Sequence, residues 1–246
     1  TRTSYVMAVV TRLEAGDPAF SELDHRQWRI GWEFEHDFDS VFTVRQNARY
    51  SQQHIDAKYV YAYNGATHAA NPTLVDRGTG YEINTLDAFV IDNQVQARFA
   101  TGGITHTVLA GLDMTWARYD ASSGYGTASP LNTLSPNYGN YIATPALTAG
   151  TRQDQVQAGL YLQDQLRYGG WTLTMGGRHD WLTTDTDNTD LTTNARTSLT
   201  QTERAWSGRI GVTYQTDFGL VPYASLSTAF SPNIGVSTIT RSPFEP

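Results

Sequence analysis

From Trp28 to Phe38 the chain alternates in character. Trp28, Ile30, Trp32, Phe34 and Phe38 fall on one side of an extended ribbon, with Arg29, Glu33, Glu35 and Asp37 on the other. A period of two is the signature of a strand with two unlike faces. It recurs along the whole length, with turn signals between runs, and no stretch of comparable length has the 3.6-residue period of a helix. The pattern predicts an all-β chain with strands near 2–11, 25–38, 41–61, 81–100, 105–120, 152–168, 171–186, 202–216 and 220–231.

The connections alternate in length. Tight turns are expected at "DFDS" (37–40), "TGGI" (101–104), "YGGW" (168–171) and "TDFGL" (216–220), where Gly and Asp supply the backbone conformations a hairpin requires. Long polar loops are expected near 12–24, 62–80, 121–151 and 187–201. Short turns on one rim and long excursions on the other describe an antiparallel up-and-down meander. Transmembrane barrels are built this way.

Strand length sharpens the choice. Strands of soluble proteins cluster near five or six residues, whereas a tilted strand needs about 9–11 to cross the hydrocarbon of a bilayer. Most runs here exceed that. In "QVQAGLYLQDQLRYGGWTLTMGGRHDW", Val156, Ala158, Leu160, Leu162, Leu166 and Tyr168 share a face, as do Trp171, Leu173, Met175 and Trp181. Gln155, Gln157, Gln163, Gln165, Arg167, Thr172, Thr174, Arg178 and Asp180 take the other face, which must meet water or packed protein. Phe38, Phe42, Phe99, Tyr168, Trp171, Tyr214 and Phe218 sit beside the tight turns, where an interfacial aromatic girdle belongs. Packing against one side of a large soluble sheet is the competing explanation of these aromatics.

Bulk composition does not separate the two. With 39% hydrophobic and 17% charged residues in 246, and a mean hydropathy of −0.42, the chain passes for a soluble protein. A strand with one apolar and one polar face averages to a polar score, so this average is uninformative for a barrel. No apolar run approaches the roughly 18 residues of a spanning helix, which excludes a helical membrane protein. Net charge is −7 and Lys58 is the single lysine, so no basic cluster offers a footprint for nucleic acid. The absence of cysteine excludes disulfide scaffolds, thiolate metal sites and Cys nucleophiles. The chain opens "TRTSYVMAVV" in mid-pattern and stops at "SPFEP", which reads as an internal fragment.

Candidate chemistry is sparse. The "DFDS" turn folds Glu33 and Glu35 back opposite Arg45 and Arg49, which predicts a ladder of opposite charges rather than an acid/base pair, since no nucleophile or oxyanion donor accompanies it. Asp185, Asp187 and Asp190 are spaced somewhat like a calcium loop but lack its central Gly and closing Glu. His25, His36, His54, His68, His106 and His179 are scattered, so chelation by side chains is unsupported. His54 with Asp56 and His179 with Asp180 are the near pairs a barrel enzyme might draw on, and His179 and Asp180 face opposite ways in a strand. The expectation is a protein without enzymatic activity. The loops carry a different signal: Tyr59, Tyr61, Tyr63, Tyr81, Tyr119, Tyr125, Tyr138 and Tyr141 lie in or beside the segments 62–80 and 121–151. Tyr presents a rigid apolar body with a polar tip, suited to holding a bulky amphipathic ligand and equally to an outer girdle or to loop packing.

"DFDSVFTVRQNARY" (37–50), "GLDMTWARYD" (111–120), "GLYLQDQLRYGGWTLTMGGRHDW" (159–181), "SGRIGVTY" (207–214) and "PYASLSTAFSPNIG" (222–235) resemble, in order, the barrel of TonB-dependent siderophore receptors of the ferrichrome and hydroxamate type. His179 stands where that pattern usually has Tyr. The resemblance implies a partial, open transmembrane β-barrel of about nine long strands from a parent of about 22. It further implies an N-terminal plug and a TonB box that this sequence does not contain. Expected partners are a ferric siderophore, the TonB energy-transducing complex and outer-membrane lipid, with a bacterial outer-membrane location. By position, Tyr61 and Tyr63 in "YVYAYNG" and Tyr125 in "SSGYGT" match aromatics that line the ligand site, Tyr125 standing where the family can have Phe. No cofactor is expected, because the siderophore already saturates its iron. A passive porin shares the barrel and girdles but usually has fewer, shorter strands; the long runs here favour the receptor, and a barrel enzyme ranks last.

Overall fold

The structure, a computed structural model, describes residues 14–63 and 73–231. It forms one antiparallel sheet of eight strands in sequence order. These are β1 (Glu22–Asp37), β2 (Phe42–Ala62), β3 (Leu74–Thr101), β4 (Ile104–Asn132), β5 (Ala149–Tyr168), β6 (Trp171–Asp190), β7 (Arg196–Tyr214) and β8 (Tyr223–Ser227). The expected strand near 2–11 lies outside the described residues. Among the described residues β1 and β8 do not pair with each other, so the meander is an open wall rather than a closed barrel.

Short turns at one rim follow from local chemistry. Gly102 and Gly169 take φ of 60° and 55° in two-residue hairpin turns, a region costly for any residue with a β-carbon. In the first turn the Asp39 carboxylate accepts the backbone N–H of Val41 and of Phe42, both at 2.7 Å.

At the other rim the strands run further than the alternation predicts. β3 begins at Leu74 and β4 continues to Asn132, so much of the expected loops 62–80 and 121–151 is strand. The expected loop 187–201 is strand except for a turn at 191–195, which Asn194 closes with φ of 61°. Here Thr, Asp, Asn and Ser occupy both faces, and with water on both sides no apolar period marks the strand. Thr is β-branched and suits extended backbone.

Register assigns every side chain a face. On the outer face, the row Phe34–Gln46–Asn93–Leu112–Leu160–His179–Trp206 runs strand to strand, with Trp28, Ile30, Trp32, Phe89, Trp116, Val156, Leu162, Leu173 and Met175 in the same band. Trp28, Ile30, Trp32, Phe34 and Leu160 are all more than half or close to half exposed, as a lipid-facing set must be in a bare wall. At the band's upper edge, level with Trp28, the same face turns polar in one row, Gln52–Asp87–Arg118–Asp154–Asp185. Below the band lie Phe42, Phe99, Tyr168, Trp171 and Tyr214. Polar groups inside the band are tied laterally: Trp32 Nε1 donates to Gln46 Oε1 at 3.0 Å, and Gln46 Nε2 to Asn93 Oδ1 at 2.7 Å. Such bonds matter because hydrocarbon offers no alternative partner.

The inner face is the crowded one. Thr43, Gln96, Asp180, Leu182, Thr184, Gln201 and Glu203 are buried there without any second layer over them. Bending the sheet toward this face brings its side chains together and spreads those outside.

Candidate functional site

The inner wall carries charges in its lower half. Glu35 pairs with Arg45 directly across the hairpin, while Glu33 lies opposite Asn47 and Arg49 opposite Gly31, so the expected ladder has one closed rung. Further along, Arg178 forms a fork with Asp113, its Nη2 donating to Asp113 Oδ1 at 2.9 Å. The same guanidinium bonds Asp180 through Nε at 2.9 and 3.0 Å. It lies over Gly159, where a β-carbon would meet it at 1.9 Å. This network bridges β6 to β4 across β5, and both of its acids are engaged by the guanidinium.

The other candidate constellations disperse. Asp185 and Asp187 face outward, where Thr200 and Ser198 hydroxyls donate to them, while Asp190 closes the β6–β7 turn. No calcium-like cage forms, and no group of three metal-ligating side chains occurs among the described residues. His179 lies on the outer face between Trp181 and Trp206, with ring centroids 4.4 and 4.3 Å away. Asp180, on the opposite face, is out of its reach.

The upper inner wall is aromatic. Tyr59 pairs with Gly80 and Tyr61 with Gly78, and Gly80 in turn pairs with Tyr125 on β4. The two glycines are what allow the rings to lie flat: a β-carbon at Gly78 would stand 2.6 Å from Tyr61 Cζ, and one at Gly80 would stand 2.4 Å from Tyr59 Cζ. Ring centroids step along the strand, 6.0 Å from Tyr59 to Tyr61 and 6.5 Å from Tyr61 to Tyr63. Tyr61, Tyr63 and Tyr125 are 37%, 37% and 60% exposed. Tyr61 and Tyr125 therefore share the inner face with one strand between them, closer than the sequence alone suggests, because β4 extends through 125.

One residue here was not singled out from the sequence. Glu82 accepts the Tyr59 hydroxyl at Oε1 at 2.6 Å and the Tyr125 hydroxyl at the same atom at 3.1 Å. That hydrogen bond, together with burial and the adjacent negative charge, pushes the Tyr59 hydroxyl above the ordinary tyrosine range and keeps it a proton donor. The signal in "RGTGYEIN" is the pair of glycines alternating opposite two tyrosines, visible only once the strands are aligned.

The remaining tyrosines serve elsewhere. Tyr81 faces outward, with Lys58 Nζ 5.8 Å from its ring centre. Tyr138 donates its hydroxyl to the Glu14 carbonyl at 2.8 Å, and Tyr141 is 92% exposed. Behind the aromatic wall, on the outer side, Arg77 and Asp17 are fully buried with Nη1 3.7 Å from Oδ2. Arg77 also donates Nε to the Ser129 carbonyl at 2.9 Å and Nη1 to the Gly16 carbonyl at 3.2 Å. The clasp ties the segment preceding β1 to the upper ends of β3 and β4.

Residues 8–244 match the family described as TonB dependent receptor-like, beta-barrel. The chain is 31% identical over 217 residues to the ferrioxamine B receptor of Salmonella typhimurium, covering 88% of this chain and 30% of that protein. It is 32% identical over 226 residues to the ferrichrome outer membrane transporter/phage receptor of Escherichia coli K12, covering 83% and 30%. A ferrioxamine receptor of Yersinia enterocolitica is 33% identical over 219 residues, covering 85% and 30%. The chain thus spans about a third of the length of these relatives. Among solved structures, the open form of the ferric-catecholate import receptor Fiu from E. coli K12 superposes with a TM-score of 0.80 at 15% identity, over 90% of this chain and 38% of that one. The siderophore receptor PiuA from Acinetobacter baumannii gives 0.77 at 15% identity, over 89% and 34%; both likenesses concern the fold alone. The apolar outer band and the matched family agree on the Gram-negative outer membrane as the location. An all-β wall in strict up-and-down order, matched from residue 8 to residue 244, belongs to the β-barrel of the TonB-dependent receptor family.

Proposed function

We propose that the protein to which this chain belongs is an energy-coupled outer-membrane receptor for ferric siderophores, of the hydroxamate type. The observation that carries the reading is the aromatic wall: Tyr61 and Tyr125 on the inner face at the long-loop rim, with Tyr63 beside Tyr61 and the Tyr61 ring laid over Gly78. A ferric hydroxamate is a compact complex with an apolar shell studded by carbonyl oxygens. Tyrosine faces complement the shell and their hydroxyls the oxygens, each contact contributing about 0.5–1.5 kcal/mol. The iron arrives already saturated, so the wall needs only shape and hydrogen bonds.

The mechanism is capture followed by release inward. Ligand settles against the tyrosines at the outer rim, and a plug inside the barrel, coupled to the TonB complex, rearranges to let it pass. No covalent step is required of this chain. Family membership and the names of the relatives support the siderophore class and the TonB partnership.

Replacing Tyr61, Tyr63 and Tyr125 together by Ala in the full-length receptor tests the reading. The Kd for ferric hydroxamates, from tryptophan fluorescence titration, should rise at least about tenfold, equivalent to ~1.4 kcal/mol, while the barrel still assembles. Unchanged affinity removes these residues from the site.

A further inference from the structure

We propose that Glu82 makes the aromatic wall selective for chelates carrying a positive charge, an alkylammonium group above all, over neutral or anionic ones. The inference rests on the ferric-hydroxamate reading and specifies which members of that ligand class the site prefers.

Three observations converge on Glu82. First, its two carboxylate oxygens are unequally used: Oε1 takes both tyrosine hydroxyls, at 2.6 and 3.1 Å, while Oε2 accepts no hydrogen bond among the described residues. A carboxylate oxygen without a donor, on a part-buried residue beside two tyrosines, is an open acceptor. Second, Tyr59 and Tyr125 hold it from either side on the same face, with the Tyr61 ring next along the wall, 6.0 Å from that of Tyr59. Aromatic faces attract alkylammonium ions through the ring quadrupole, and a carboxylate completes such a cage with a charge-assisted hydrogen bond.

Third, no basic residue among the described ones neutralises the carboxylate on this part of the inner wall. Above the inner row Gln53–Leu86–Tyr119–Gln153, no lysine or arginine among the described residues faces inward. Lys58, Arg77, Arg118, Arg152 and Arg196 all stand in the outward register. Arg118 and Arg152 are paired there with Asp154 and Asp120. Asp190, another inward acid at this rim, already accepts the backbone N–H groups of its own turn. This stretch of the upper lumen wall is therefore negative as well as aromatic, whereas the inward arginines among the described residues, such as Arg45, Arg178 and Arg209, stand lower down. A ligand arriving from outside meets the acidic aromatic surface first.

The test uses the full-length receptor in detergent and two probes. One is a linear ferric tris-hydroxamate with a pendant primary amine, and the other is the same chelate with that amine N-acetylated. Wild type should bind the amine form about tenfold more tightly, as a charge-assisted contact to one carboxylate allows. In Glu82→Gln, the amide oxygen still accepts the two tyrosine hydroxyls, so the acetylated chelate should bind within about twofold of wild type. The preference for the amine should disappear. Glu82→Asp should restore part of the preference, because it retains the charge one methylene further back.

Equal binding of the two chelates by wild type overturns the inference and leaves the receptor reading standing. A preference that survives Glu82→Gln also overturns it, as does a parallel loss for both chelates, which would mean that Glu82 only props the tyrosines. Binding of neither hydroxamate removes the hydroxamate reading and this inference together.

Discussion

The Tyr59 ring lies across Gly80, its Cζ 2.4 Å from where a β-carbon would stand, and this close approach is what delivers the Tyr59 hydroxyl to Glu82. Gly80→Ala should therefore swing the ring off the wall and strip Glu82 of one donor. The wall then loses one tyrosine face, a contact of about 0.5–1.5 kcal/mol, read as a rise of about threefold to tenfold in Kd for a ferric hydroxamate. Heat-modifiable migration of the barrel should be unchanged. A variant that binds as wild type would show that the ring has another resting place.

Leu160 sits in mid-strand on the outer face, opposite Leu112 on one side and His179 on the other. Leu160→Arg places a charge in the hydrocarbon and should destabilise the barrel by about 2–4 kcal/mol. Equilibrium unfolding of the full-length protein from lipid vesicles reads the difference. A neutral result would place residue 160 in the lumen and shift the register by one.

Arg178 neutralises Asp113 and Asp180 at once. Arg178→Ala leaves two carboxylates facing each other on a crowded wall, and Asp180 is almost completely buried. The loss should be about 3–5 kcal/mol in the same unfolding assay. Arg178→Lys should recover only part of it, since a single ammonium cannot make the fork to Asp113 while also reaching Asp180.

The Arg77–Asp17 clasp predicts a local effect. Asp17→Ala leaves Arg77 buried without its counter-charge and frees the Gly139 and Ala19 amides that Asp17 now holds. Proteolysis should cut the segments around 14–21 and 133–147 faster in the variant, while the protease-resistant strands persist. Identical cleavage patterns would show that the clasp is not what holds them.

Asp190 gives a pH dependence. Backbone N–H groups of Thr193 and Thr192 hold its carboxyl below the ordinary value of 3.8, so the folded form is the stronger acid. A depressed folded value contributes stability that is fully present above the unfolded value and is lost as pH falls through the folded one. Amide exchange at Thr192 and Thr193, corrected for its intrinsic pH dependence, should stay slow from neutrality down to about pH 4 and quicken below it. Asp190→Asn should flatten that profile.

The alternation from Trp28 to Phe38, the Leu and Trp faces of the 156–181 hairpin and the glycine turns are legible without any structure. Each residue there carries its own record of whether it meets lipid or water, and period two makes the record readable. Where both faces meet water, as in residues 184–201, that contrast vanishes, and the strands hidden in "TDTDNTDLTTNARTSLTQ" pass for loop. Eight tyrosines stand out as rim aromatics by type and position, and the resemblance to the receptor family singles out Tyr61, Tyr63 and Tyr125 among them. The meeting of Tyr59 and Tyr125 at Glu82 is not legible, because it depends on which residue of β2 lies opposite Gly80 and which residue of β4 lies beyond it. Cross-strand neighbours come from segments tens of residues apart, so the residues to either side of Glu82 in the chain say nothing of the two hydroxyls it binds. The same holds for Arg178 with Asp113, and for Arg77 with Asp17: local pattern set the strands and their faces, and only register and chain crossing decided which charges and rings would meet.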